Sequence, residues 1–70
     1  MPSGLHSVKR IEVRDLDGIA CGLLIGKNAA GQVVIGVAPQ QGDTEFAALT
    51  DTEVTDVLRL VRKVLRGEEL

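Results

Sequence analysis

"VKRIEVRDLDGIACGLLI", residues 8–25, decides the fold, because the turn at its centre chooses which side chains share a face of the sheet. Ile11 and Val13 alternate with Arg10, Glu12 and Arg14, the period of a strand with one face buried and one face wet. Asp15, Leu16, Asp17 and Gly18 suit a type I turn closed by glycine: Asp bonds the local backbone at the first position, and glycine adopts the left-handed conformation without a Cβ penalty. A three-residue loop then sets Asp15 opposite Ile19, Val13 opposite Cys21 and Ile11 opposite Leu23. A two-residue loop at Asp17 and Gly18 would set Arg14 against Cys21 and Glu12 against Leu23, a slip that turns every side chain to the wrong side. The apolar pairing selects the first register.

Working outward, "KNAAG" (27–31) is a second odd loop, expected to align Leu23 with Ile35 and Ile25 with Val33. One face of the sheet becomes Ile11, Val13, Ile19, Cys21, Leu23, Ile25, Val33, Ile35 and Val37, a complete core face. Pro39 has no backbone donor for a ladder and ends the third strand; "QQGD" (40–43) follows as loop, and "TEFAAL" (44–49) reads as a short fourth strand. In "LTDTEV" (49–54), Thr50 caps a helix and Glu53 reaches back to it, with Leu49 and Val54 flanking as a hydrophobic staple. Val54, Val57, Leu58, Val61, Val64 and Leu65 then trace one apolar stripe, the natural lid for the core face. Gly67 is the stop. The expected fold is α+β: a three- or four-stranded antiparallel meander followed by one C-terminal amphipathic helix packed on one sheet face. Residues 1–7 read as a leader, 8–67 as a single domain and 68–70 as a tail.

The opposite face is unusual. In "IACGLLIGKNAAGQVVIGVA" (19–38) it carries Ala20, Gly22, Leu24, Gly26, Val34, Gly36 and Ala38, without the polar alternation of a half-wet antiparallel sheet. Small residues on a solvent face expose little apolar area, and Leu24 and Val34 can be read as scattered surface hydrophobes. The sharper reading is an oligomer interface: glycine and alanine let another sheet approach closely, with Leu24 and Val34 as knobs of a self-complementary patch.

Size favours that reading. A chain of 70 residues buries only ~60% of its unfolded surface and needs reinforcement. With one cysteine, Cys21, and one histidine, His6, neither an internal disulfide nor a Cys/His zinc site can supply it, which leaves self-association. Net charge of -2 speaks against a polyanion binder driven by bulk charge. "MPSGLHSVKR" (1–10) has no apolar core of signal-peptide type, and the longest apolar stretch is too short and glycine-rich to span a bilayer, so a cytoplasmic protein without membrane association is expected.

No residue set points to catalysis. Cys21 falls mid-strand on the core face, where an inert buried thiol is expected, and His6 falls in the leader. "GLLIGKN" (22–28) fails as a phosphate loop: Cys21 stands where the first glycine belongs, Asn28 replaces Ser or Thr, and no helix follows. Asp15 with Asp17, and Asp43 with Glu45, are loop acids explained by turn formation and solvation. The chain is therefore expected to be no enzyme and to need no cofactor or metal. On the helix, Asp51, Glu53 and Asp56 precede Arg59, Arg62, Lys63 and Arg66, an order that suits the helix dipole. Arg59 with Lys63 and Arg62 with Arg66 are like-charge pairs one turn apart, and an anionic partner would relieve them.

A meander followed by a helix opening on "LTDTEV", together with the "VRDLDG" turn (13–18), resembles the single-stranded-DNA-binding domain of the transcriptional positive cofactor four family over residues 8–66. The resemblance implies a dimer whose sheets and loops grip single strands with basic and aromatic side chains. Phe46 is the only aromatic here, and Arg10, Arg14 and Lys27 are the candidates to touch a phosphate backbone. The reading is a small non-catalytic interaction or regulatory module, a homodimer or higher homo-oligomer, with Arg59, Arg62, Lys63 and Arg66 as the candidates to meet an acidic protein or nucleic acid; single-stranded DNA binding is the alternative, and an enzyme with a site shared between subunits near Cys21 or His6 ranks last.

Overall fold

A computed structural model describes residues 5–67. Four strands, β1 (His6–Arg14), β2 (Ala20–Lys27), β3 (Val33–Ala38) and β4 (Glu45–Leu49), form one antiparallel sheet in the order β1-β2-β3-β4, followed by the helix α1 (Asp51–Leu65). The chain is an α+β meander with one C-terminal helix.

The first hairpin has the expected register, with Val13 opposite Cys21 and Ile11 opposite Leu23. Asp15 donates its N–H to the Ile19 carbonyl at 2.9 Å, and its Oδ1 accepts from the N–H groups of Asp17 (2.9 Å) and Ile19 (2.8 Å). The second turn repeats this pattern atom for atom: Asn28 donates to the Gln32 carbonyl at 3.1 Å, and its Oδ1 accepts from Ala30 (3.1 Å) and Gln32 (3.0 Å). Gly18 and Gly31 close the two turns at φ 82° and 81°, a left-handed conformation that favours glycine. Because Asn28 plays the part of Asp15, the second loop runs over residues 29–31. Leu23 therefore pairs with Val37 and Ile25 with Ile35, two residues along from the expected alignment. A shift of two preserves the pleat, so every side chain keeps its expected face.

β1 begins at His6, two residues inside the expected leader. The register shifts between His6 and Lys9, and Ser7 lies at φ 55°, so a bulge lets pairing resume with His6 opposite Lys27.

Thr50 is the only residue between β4 and α1. Its Oγ1 accepts from the Glu53 N–H at 3.2 Å while Glu53 Oε1 accepts from the Thr50 N–H at 2.8 Å, closing the capping box. The helix ends with Arg66 N–H on the Arg62 carbonyl and Gly67 at φ 77°.

The expected packing of this helix across the sheet is corrected. Its main contact is with the adjoining β4, and no helix residue is buried. Leading straight out of an edge strand into a fixed cap, the chain carries the apolar stripe away from the middle of the sheet. Cys21 (8% exposed) and Val34 (6%) are the only buried hydrophobic side chains among the described residues, and no side chain is completely enclosed. The radius of gyration, 13.5 Å, exceeds the roughly 11 Å of a compact chain of this length. The accessible surface, 5551 Å², exceeds the roughly 4,200 Å² expected of a folded monomer of 7.4 kDa.

Candidate oligomer interface

The register places Ala20, Gly22, Leu24, Gly26, Val34, Gly36 and Ala38 together on one face, with Arg10, Glu12 and Arg14 beside them on β1 and Phe46 on β4. Neighbouring strands of the same chain lie over its glycines. A Cβ added at Gly36 would sit 2.7 Å from Cδ1 and Cε1 of Phe46; one at Gly22 would sit 2.7 Å from Nε of Arg10; one at Gly26 would sit 3.0 Å from Cγ2 of Val8. The ring of Phe46 rests on Gly36, its direct cross-strand partner, and the Arg10 side chain reaches across to Gly22, diagonally from its own partner Leu24. Such cover is how an aromatic or a long stem repairs the missing side chain of a strand glycine. As a result Gly22, Val34 and Gly36 are buried, and Ala20, Leu24, Gly26 and Ala38 are half-buried, within one protomer.

The helix is open, and the other face is open in part: Cys21 is buried and Val13, Leu23, Val33 and Ile35 are half-buried, while Ile11, Ile19, Ile25 and Val37 are exposed. On the sheet, Ile11 is 51% exposed and Val37 47%, although both belong to the apolar core pattern. On the helix, Val57, Leu58, Val61, Val64 and Leu65 are all exposed. Leu60, outside the expected stripe, joins Val61, Val64 and Leu65 around a shallow apolar groove and widens the apolar arc to roughly 160° at 100° per residue. The signal for Leu60 was present in the sequence as an apolar residue one step beyond the stripe's edge.

Charge is distributed by ends. Lys9 and Lys27 lie toward one end of the open sheet face, level with Ile25 and Val33. Glu45 lies toward the other end, level with Val37, where the turn acids Asp15 and Asp17 also fall. The helix runs from Asp51, Glu53 and Asp56 to Arg59, Arg62, Lys63 and Arg66. Arg59 pairs with Asp56 at 3.1 Å, an exposed bridge of small energetic weight. Arg59, Arg62 and Arg66 line one shallow groove with Thr55 and Leu58, so the structure brings these three basic residues together, with Lys63 half-buried beside them.

Arg14 donates to the Gly18 carbonyl at 2.9 Å and so braces the first turn. Cys21 is a buried free thiol, and His6 is an exposed residue at the start of β1. Among the described residues no three His, Cys, Asp or Glu side chains gather to hold a metal ion, and no helix is long and apolar enough to cross a membrane. No protein-family model, curated protein or solved structure matches the chain.

Proposed function

We propose that this protein is a small homo-oligomeric interaction module without catalytic chemistry of its own, working in the cytoplasm. The observation that supports the reading is a helix with an apolar stripe and no buried residue, attached to a sheet whose patterned apolar face leaves Ile11, Ile19, Ile25 and Val37 exposed. A chain of this size leaves such surfaces to water only at a cost it cannot meet from its own core. A second copy supplies the missing cover. The assembled module then presents two helices whose basic edges, Arg59, Arg62, Lys63 and Arg66, face outward toward an acidic protein surface. Light scattering across a range of protein concentrations tests the first step: a molar mass at least twice that of the chain is expected, and a monomer at every concentration refutes it.

One arrangement favours nucleic-acid binding as the second reading, as the likeness to the positive cofactor four domain implies. Arg10, Leu24, Gly36 and Phe46 form a single cross-strand row, so the lone aromatic and a basic side chain stand on the same face as Arg14. Single-strand platforms combine aromatics with basic grooves in this way. Fluorescence anisotropy with labelled single- and double-stranded oligonucleotides at two salt concentrations decides it: salt-sensitive micromolar binding supports the reading, and its absence removes it.

A further inference from the structure

Two surfaces in this chain lack a partner, and they match each other. The helix is 15 residues long, about 22 Å, and the β2 strand it would cover is 8 residues, about 26 Å. The apolar stripe of the helix has the width of one helix face, and the open sheet face is apolar across β1, β2 and β3. Charge on the flanks of the stripe fixes the direction in which they fit: Asp51 and Glu53, beside the stripe in the first turn, belong over the Lys9 and Lys27 end, and Arg62, beside it in the second half, toward the end carrying Asp15, Asp17 and Glu45, while Arg59, Lys63 and Arg66 face outward.

The helix does not reach this face in its own chain. Thr50 alone joins it to β4, and both hydrogen bonds of the capping box hold that residue. We infer that two copies exchange their helices: the Val54, Val61 and Leu65 stripe of one protomer lies on the Ile11, Cys21, Leu23 and Ile35 face of the other, and the second helix returns the contact. A second copy is the occupant because one two-fold operation covers both surfaces of both chains, whereas a foreign partner would have to supply a complementary helix and a complementary sheet together. The area agrees. The surface of this protomer exceeds that of a compact monomer by on the order of 1,000 Å², and burying that much on each of two chains gives the size of a stable dimer interface. This inference rests on the homo-oligomeric reading above and adds the faces, the direction and the exchange. It moves the principal interface from the glycine face to the opposite side of the sheet.

Cys21 is the natural reporter, being the only cysteine and lying, recessed between its neighbours, on the apolar sheet face toward its acidic end, where a helix laid on that face would meet it. It stands about 20 Å along β2 from Lys27, and Leu65 stands about 16 Å along the helix from Val54, so Leu65 meets the partner's Cys21 while Val54 stays near the far end. Leu65 is 81% exposed in the protomer, so replacing it leaves the fold intact. The experiment co-refolds the wild type with an isotopically labelled Cys21→Ser/Leu65→Cys chain under mild oxidation, and in parallel with a Cys21→Ser/Val54→Cys chain; mass spectrometry reads the disulfide-linked species and light scattering the molar mass. A mixed covalent dimer with the Leu65→Cys chain, at least tenfold more abundant than with the Val54→Cys chain, is the expected result. A dimeric mass without that preference overturns the exchange while leaving the homo-oligomeric reading in place. A monomeric mass overturns both, and a Leu65→Cys single variant that closes an intrachain bridge to Cys21 then shows the helix folded onto its own sheet.

Discussion

Replacing Gly36 by alanine tests whether Phe46 is the cover for the glycine face. The new Cβ would lie 2.7 Å from two ring carbons of Phe46, well inside the ~3.5–4.0 Å at which carbon atoms attract. The ring is 37% exposed and sits on an edge strand, so it yields by swinging outward rather than by straining the sheet. The loss is then bounded by what the covered part of the ring contributes, about 1–2 kcal/mol. Alanine returns about 0.5–1 kcal/mol by restricting the unfolded chain more than glycine does. Gly36→Ala alone is therefore expected to destabilise by up to about 1 kcal/mol, and Phe46→Ala alone by about 1–2 kcal/mol. In the Phe46→Ala background the sign reverses: with the ring gone, the nearest remaining neighbour is the Glu45 carbonyl oxygen at 3.4 Å, an ordinary contact, and Gly36→Ala should stabilise by about 0.5–1 kcal/mol. The double-mutant cycle is read by urea unfolding under far-UV circular dichroism, because the chain has no Trp or Tyr to report by fluorescence. All four proteins are compared at one protomer concentration, since association contributes to apparent stability. Equal destabilisation by Gly36→Ala in both backgrounds refutes the stacking argument.

Three further outcomes follow from the same geometry. Gly18→Ala and Gly31→Ala should each cost about 1–2 kcal/mol in urea unfolding, and nearly the same amount, because both glycines hold φ near +80° with nothing within 4 Å of an added Cβ. A cost confined to one of them contradicts the equivalence of the turns. Asp15→Ala strips two backbone N–H groups of their acceptor and should cost about 1 kcal/mol, whereas Asp15→Asn, which copies Asn28, should be close to neutral; an equal loss for both would deny the Oδ1 its role. Thr50→Ala should cost about 0.5–2 kcal/mol and lower the helical signal at 222 nm, and a spectrum and midpoint unchanged from the wild type would show that the capping box contributes nothing.

Local chemistry made most of the fold legible. The Asp15 to Gly18 turn fixed one register because the rejected alternative paired charges with a core thiol, and the Thr50 to Glu53 box located the helix start to the residue. The second register was misplaced by two residues because Asn28 was not recognised as the counterpart of Asp15; a matching Asx residue and glycine, each three positions apart, were there to be compared. On the glycine face of β2 and β3 the sequence shows the small residues but not their cover from across the ladder: Arg10 and Phe46 are ordinary residues in their own strands, and only pairing brings them over Gly22 and Gly36. The bulge at Ser7 carried no sequence signal, since serine at φ 55° is set by the pairing of its neighbours rather than by its own preference.

The position of the helix is a different kind of miss. Hydrophobic periodicity states that a face must be covered and is silent on which chain covers it. That choice is made by the connection. A long flexible linker holds its helix near its own sheet at a high effective concentration, so folding back wins over association at any ordinary protein concentration. A one-residue connection removes that advantage, because it leaves too little chain to reverse from the edge strand β4 and carry the helix back over the middle of its own sheet. Lengthening the connection should therefore restore the competition. Inserting about four Gly and Ser residues between Leu49 and Thr50 keeps the cap, the stripe and the sheet face while freeing the helix to double back, and the protein should then run as a compact monomer in light scattering. Retention of the dimeric mass by the insertion variant would show that some surface other than the exchanged helix holds the copies together.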